Sequence, residues 1–173
     1  MQALRIVALC VLGAVLYGIA HDLVTAHVCL EYFTIGHPKI LDDATPVRLA
    51  LAWGVIATWW VGLPLGILLA LAARVGSAPK WDARRLVRPV AILLGIMAAL
   101  ALVAGLVASA CANAGVLWLV EPLKTRVPPD RHVAFLAAGA AHVASYIVGG
   151  LGGLVLVLGV AIRRGREADG RRR

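Results

Sequence analysis

The chain is 173 residues long, 61% hydrophobic and only 15% charged, with a mean hydropathy of +0.88. A soluble domain is about half apolar, so this composition excludes a water-soluble enzyme or binding module and requires lipid around most of the chain. The net charge of +8 suits anionic lipid head groups rather than nucleic acid, because no aromatic residues that stack on bases interleave with the basic runs.

Four apolar blocks follow one another, and a bilayer core is crossed by about 20 apolar residues in helical form. They predict spans over about residues 4–25, 47–73, 90–118 and 133–160. The fold class is therefore all-α, an integral membrane bundle of four transmembrane helices forming one domain over 1–173. The first block follows Arg5 and has the look of a secretion signal, but it lacks a small-x-small cleavage site and is read as a span. After it comes HDLVTAHVCLEYFTIGHP, residues 21–38, which holds three of the five histidines. It contains no glycine or proline before Gly36, so the first helix is expected to continue to about Thr34 and stop at Gly36 and Pro38. The second block carries Thr58, Trp59 and Trp60 and is expected to kink at Pro64 within GLPLG, where the ring removes a helical hydrogen bond. The third ends with Ser109, Cys111 and Asn113, and the fourth carries His142, Ser145 and Tyr146. The tail, IRRGREADGRRR over 162–173, reads as a disordered, solvated end.

Lysine and arginine set the orientation, since short basic loops stay in the cytoplasm. Arg5, the 74–88 connection and the tail beyond Ile162 hold twelve of the 17 cations, leaving Lys39, Arg48, Lys124, Arg126 and Arg131 for the other side. Both termini are expected to be cytoplasmic, with 21–38 at the external face.

The polar residues of the spans gather at that external level. On a continuous first helix, His27 and Glu31 are four apart and share a face, with His21 about 80° round and Asp22 pointing elsewhere. His142 lies in the same half of the fourth span, where an imidazole is costly unless it faces the bundle and finds a partner. Imidazole nitrogens and a carboxylate are ligands for zinc, iron or copper, so His21, His27, Glu31 and His142 form the expected metal set, with His37, Asn113 and Tyr146 as its supports. Haem held by His21 and His142 is a weaker alternative. Ser109 or Ser145 with His142 makes a poor hydrolase, because no GxSxG turn and no orienting carboxylate accompany them. Cys10, Cys29 and Cys111 contain no CxxC, and a disulfide between Cys29 and Cys111 stays open. Gly62/Gly66, Gly149/Gly153 and Ala104/Ala108/Ala112 follow small-xxx-small spacing, which packs helices within one chain or between copies of a homo-oligomer.

The segment EYFTIGHP, with HDLVTAHVCLEY before it and WGVIATWWVG after it, resembles a group of bacterial four-helix membrane proteins with no assigned activity. The resemblance implies a small protein of the bacterial inner membrane and brings no ligand with it. The competing functional class is a structural, assembly or transport-accessory subunit, or membrane-protein partner, whose buried histidine only joins helices.

Overall fold

A computed structural model describes residues 1–171. Its helices are α1 (Gln2–Val28), α2 (Leu30–Thr34), α3 (Pro46–Ile56), α4 (Trp59–Arg74), α5 (Ala83–Asn113), α6 (Leu123–Arg126) and α7 (His132–Gly170), with a 3₁₀ turn at Pro129–Arg131 before the last. Four units, α1, the α3–α4 pair, α5 and the 3₁₀–α7 unit, are long and apolar enough to cross a membrane. Large apolar side chains such as Leu12, Leu16, Leu102, Leu106, Leu151 and Leu158 stay exposed along their outer faces, as a surface solvated by lipid requires. The all-α four-helix bundle expected from hydropathy is the observed architecture.

Local chemistry explains most of the ends. Thr45 accepts a hydrogen bond from the Arg48 amide with Pro46 in the first turn of α3, and Asp82 accepts one from the Arg85 amide at the start of α5. α5 therefore begins seven residues before the expected span. It stops at Asn113 because Gly115 takes a left-handed conformation, φ +71°, while the amides of Gly115 and Val116 turn back to the carbonyls of Ala112 and Cys111.

The second span is interrupted at Ala57–Thr58 rather than at Pro64. Pro64 lies in the second turn of α4, where its ring crowds the carbonyl of Trp60, and the helix restarts just ahead of that carbonyl. The Thr58 hydroxyl donates to Gly54 O, and the Thr58 carbonyl accepts from the amides of Val61 and Gly62, so side chain and backbone together absorb the break.

Glycines let α3 and α4 lie directly on α1. A Cβ on Gly54 would meet the backbone of Ile19 at 2.6 Å, and one on Gly62 would meet Cys10 O at 2.8 Å. Gly149 faces Met97 and Gly153 faces Leu65. These two small-residue pairs thus serve contacts within the chain.

Apolar cores close the two ends of the bundle. At the arginine-rich end Ile6, Leu69, Ala73, Trp81, Leu86 and Val160 pack together; at the histidine-rich end one cluster joins Cys29, Leu119, Val127, Phe135 and Ala138, and another Ala26, Phe33 and Leu49. The arginine end is also tied by polar contacts. Arg164, only 4% exposed, donates to the carbonyls of Pro79 at 2.8 Å, Ala78 at 3.0 Å and Val75 at 3.1 Å, and to that of Ala72. It thereby satisfies one carbonyl of the last turn of α4 and three of the connection that follows. Glu167 pairs with Arg85 and accepts from Trp81 Nε1 at 3.1 Å. These anchors keep α7 helical to Gly170, so the tail expected to be disordered is ordered that far; Arg172 and Arg173 lie outside the described residues.

Candidate metal centre

Between the two apolar ends, the middle of the bundle encloses a cavity of about 120 Å³ whose upper wall is polar. Asp22 and His142 meet there, 5% and 8% exposed, with His142 Nε2 3.1 Å from Asp22 Oδ1. The His142 Nδ1–H donates to Ala138 O at 2.8 Å, one turn back on α7. That bond fixes the tautomer and turns Nε2 towards Asp22. The His21 ring stands edge-on to His142, centroids 4.5 Å apart at 81°, and His21 Nε2 is buried with no hydrogen-bond partner. One donor atom from each of His21, Asp22 and His142 lies within 4.8 Å of the others, the one such group of three among the described residues.

The walls of the site come from three directions. One turn below it on α1, Tyr17 stacks on His21 at 5.7 Å and bonds Ser145 of α7 at 2.7 Å. Above, α2 folds back so that the Tyr32 ring lies 4.5 Å from His142 and that of Phe33 5.6 Å away. This roof exists because α1 stops at Cys29, whose backbone is extended at φ −149° and ψ 97°. Cys29 is fully buried against Leu119, Val127 and Phe135. Arg131 latches the break by donating to the Val28 carbonyl at 2.9 Å and to Glu31 Oε2 at 3.0 Å. Partial burial pushes the Glu31 carboxyl up, but hydrogen bonds from its own backbone, from Arg131 and from the Cys29 thiol outweigh it and hold it below the ordinary carboxylate range. Burial drives the Cys29 thiol up to about 11, leaving it protonated at neutral pH.

The expected set is thus only partly assembled. His21 and His142 come together, and the carboxylate beside them is Asp22, not Glu31. The break at Cys29 turns Glu31 away from the face of His27. His27 is exposed and donates from Nδ1 to Leu23 O at 2.6 Å. His37 sits at the upper end of the cavity, donating to Tyr32 O at 2.9 Å beside Trp53. Asn113 donates to Ser109 O at the end of α5 and takes no part in the site. Tyr146 lines the cavity wall without a hydrogen bond to the three donors. All three cysteines are free, so Cys29 and Cys111 form no disulfide. Haem does not fit between His21 and His142: perpendicular rings 4.5 Å apart leave no plane for a porphyrin.

Asp22 carried a readable signal. Gly18, Asp22, Thr25 and Ala26 recur at helical spacing and are the buried face of α1 at this level. The small residues marked that face, and a carboxylate on it within a span is a functional-site signal by default.

No family model, no curated protein and no solved structure matches this chain. Its function rests on the chemistry of the site.

Proposed function

We propose that this is a bacterial inner-membrane protein that binds one divalent transition metal, zinc or iron, through His21, Asp22 and His142. The observation that carries the reading is the buried, unpartnered Nε2 of His21 beside the Asp22–His142 pair. A pair that merely joined α1 to α7 needs no third donor, and a buried nitrogen without a partner costs about 1–3 kcal/mol. Two imidazoles and a carboxylate form the donor set of catalytic zinc and of non-haem iron sites, which keep coordination positions open. Ala138 O supports the set as outer partners do, by holding Nδ1–H so that Nε2 is the ligand atom. When bound, the ion supplies Lewis acidity to an oxygen ligand from the cavity. A divalent ion with one carboxylate keeps one positive charge in apolar surroundings, so its further ligand is an anion.

The excess of Lys and Arg at one end supports an orientation with that end cytoplasmic and the site in the outer half. The EYFTIGHP-type segment supports the bacterial setting. Elemental analysis of detergent-purified protein beside a His142→Ala variant tests the metal reading: bound zinc or iron lost in the variant supports it, and a metal-free wild type after metal supplementation refutes it.

A further inference from the structure

The cavity has a shape that the metal reading leaves unused. Along α1 its lining runs from Asp22 down to Cys10, about 18 Å of helix at 1.5 Å per residue. A cavity whose lining extends over that length is a slot elongated along the helix axis. The polar groups that border it, His21, Asp22, His142, Tyr17, Ser145, Thr58, His37 and Tyr146 among them, belong mostly to its upper part. The lower part is lined by Leu69, Val90, Leu94, Leu156 and Val157. Apolar walls of this kind leave a file of water without partners, and they match a hydrocarbon chain instead.

The slot also shares a wall with the lipid-facing surface. A second, open groove of about 570 Å³ lies on the lipid-facing surface between α4 and α7, bordered by Trp60, Pro64, Leu68, Ile147 and Leu151. Val61, Leu65 and Tyr146 line both the groove and the slot. Tyr146 is 47% exposed and so stands at the junction between lipid and interior.

We propose that the slot takes the single hydrocarbon chain of an anionic, oxygen-headed amphiphile from the bilayer, entering between α4 and α7, with its head beside His21, Asp22 and His142. The chain placement rests on the cavity and on the wall of Val61, Leu65 and Tyr146 that it shares with the lipid-facing groove. The anionic head rests on the metal reading, since it is the charge that completes a divalent ion held by one carboxylate. A carboxylate head and a phosphate head offer the same chemistry, and the experiment separates them.

The test is photo-crosslinking in detergent-purified, metal-analysed protein with two probes, a diazirine-bearing long-chain fatty acid and a diazirine-bearing prenyl phosphate, followed by peptide mapping. Labelling at slot residues such as Leu94, Leu156 or Val157 by either probe supports the proposal and names the head. Leu94→Phe plugs the lower slot and Ala57→Leu its upper part; two positions guard against one variant failing to fold. In a folded plug with unchanged metal content, slot labelling falls about tenfold, equivalent to about 1.4 kcal/mol of binding. Labelling confined to lipid-facing residues such as Leu151 in metal-replete protein overturns the slot and leaves the metal reading standing. A metal-free protein overturns the metal reading and the anionic head, whatever is labelled.

Discussion

Asp22→Asn separates a metal ligand from a helix-joining residue. In the native chain the Ala138 carbonyl holds the proton of His142 Nδ1, so Nε2 presents a lone pair to residue 22. An asparagine amide in the same place donates N–H to that lone pair and keeps the α1–α7 link at nearly the same geometry. Exchanging one hydrogen bond for another of similar net worth, about 1 kcal/mol, shifts stability by no more than about that amount. Metal affinity responds differently. The substitution removes an anionic ligand, and loss of an outer-sphere partner alone costs about 10–100-fold, so a direct ligand costs at least as much. The assay is a pair of measurements on each protein: thermal unfolding in detergent without metal, and competitive titration of zinc or iron(II) against a chelator. The expected result is near-equal unfolding of the metal-free forms with a large loss of affinity in the variant. Unchanged affinity, within about threefold or about 0.65 kcal/mol, refutes the assignment of Asp22 as a ligand, because loss of a direct ligand costs at least tenfold, about 1.4 kcal/mol.

His142→Ala is expected to lose metal as well as stability, because it also leaves the Asp22 side chain buried without its partner; a loss of about 3–5 kcal/mol in a metal-free unfolding experiment is the predicted outcome. Arg164→Met keeps the apolar stem and removes the donor shared by the carbonyls of Ala72, Val75, Ala78 and Pro79, so the bundle should lose about 3 kcal/mol or more in the same assay. The Glu31–Arg131 latch should depend on pH. The folded carboxyl lies below its ordinary value of 4.5, so its contribution is present above that value and is lost as pH falls through the lower folded one; hydrogen-exchange protection at residues 29–34, corrected for the intrinsic slowing of exchange in acid, should fall on acidification, and in an Arg131→Gln variant at neutral pH. Cys29 should resist maleimide at neutral pH, being buried and protonated, and thiol counting after denaturation should find all three cysteines free without added reductant.

The four spans were legible because lipid imposes one simple rule on a chain, a helical run of apolar residues long enough to cross. The caps at Thr45, Asp82 and Gly115 are local too, but the expected third span of 90–118 passed over the two that bound α5. What escaped the sequence arises between distant segments. Nothing near Cys29 breaks a helix by propensity; the break is stabilised by burial of that thiol and by Arg131, which captures the freed carbonyl of Val28 from 103 residues further along. With the break unseen, His27 and Glu31 were placed on one face, and Glu31 stood where Asp22 belongs. His142 was legible as a buried imidazole in a span, but its partner required knowing which face of α1 meets α7. The tail misled for a related reason, since its arginines read as solvated while Arg164 is held by carbonyls of the 72–79 segment.

The most direct measurement of the central claim is X-ray absorption at the zinc and iron edges on detergent-purified protein loaded with one equivalent of metal. The account predicts stoichiometric binding, imidazole and carboxylate ligands in the first shell at about 2.0–2.2 Å, and loss of the carboxylate component in Asp22→Asn. A fully hydrated ion, or a shell unchanged by substitution of His21, Asp22 and His142, would contradict it.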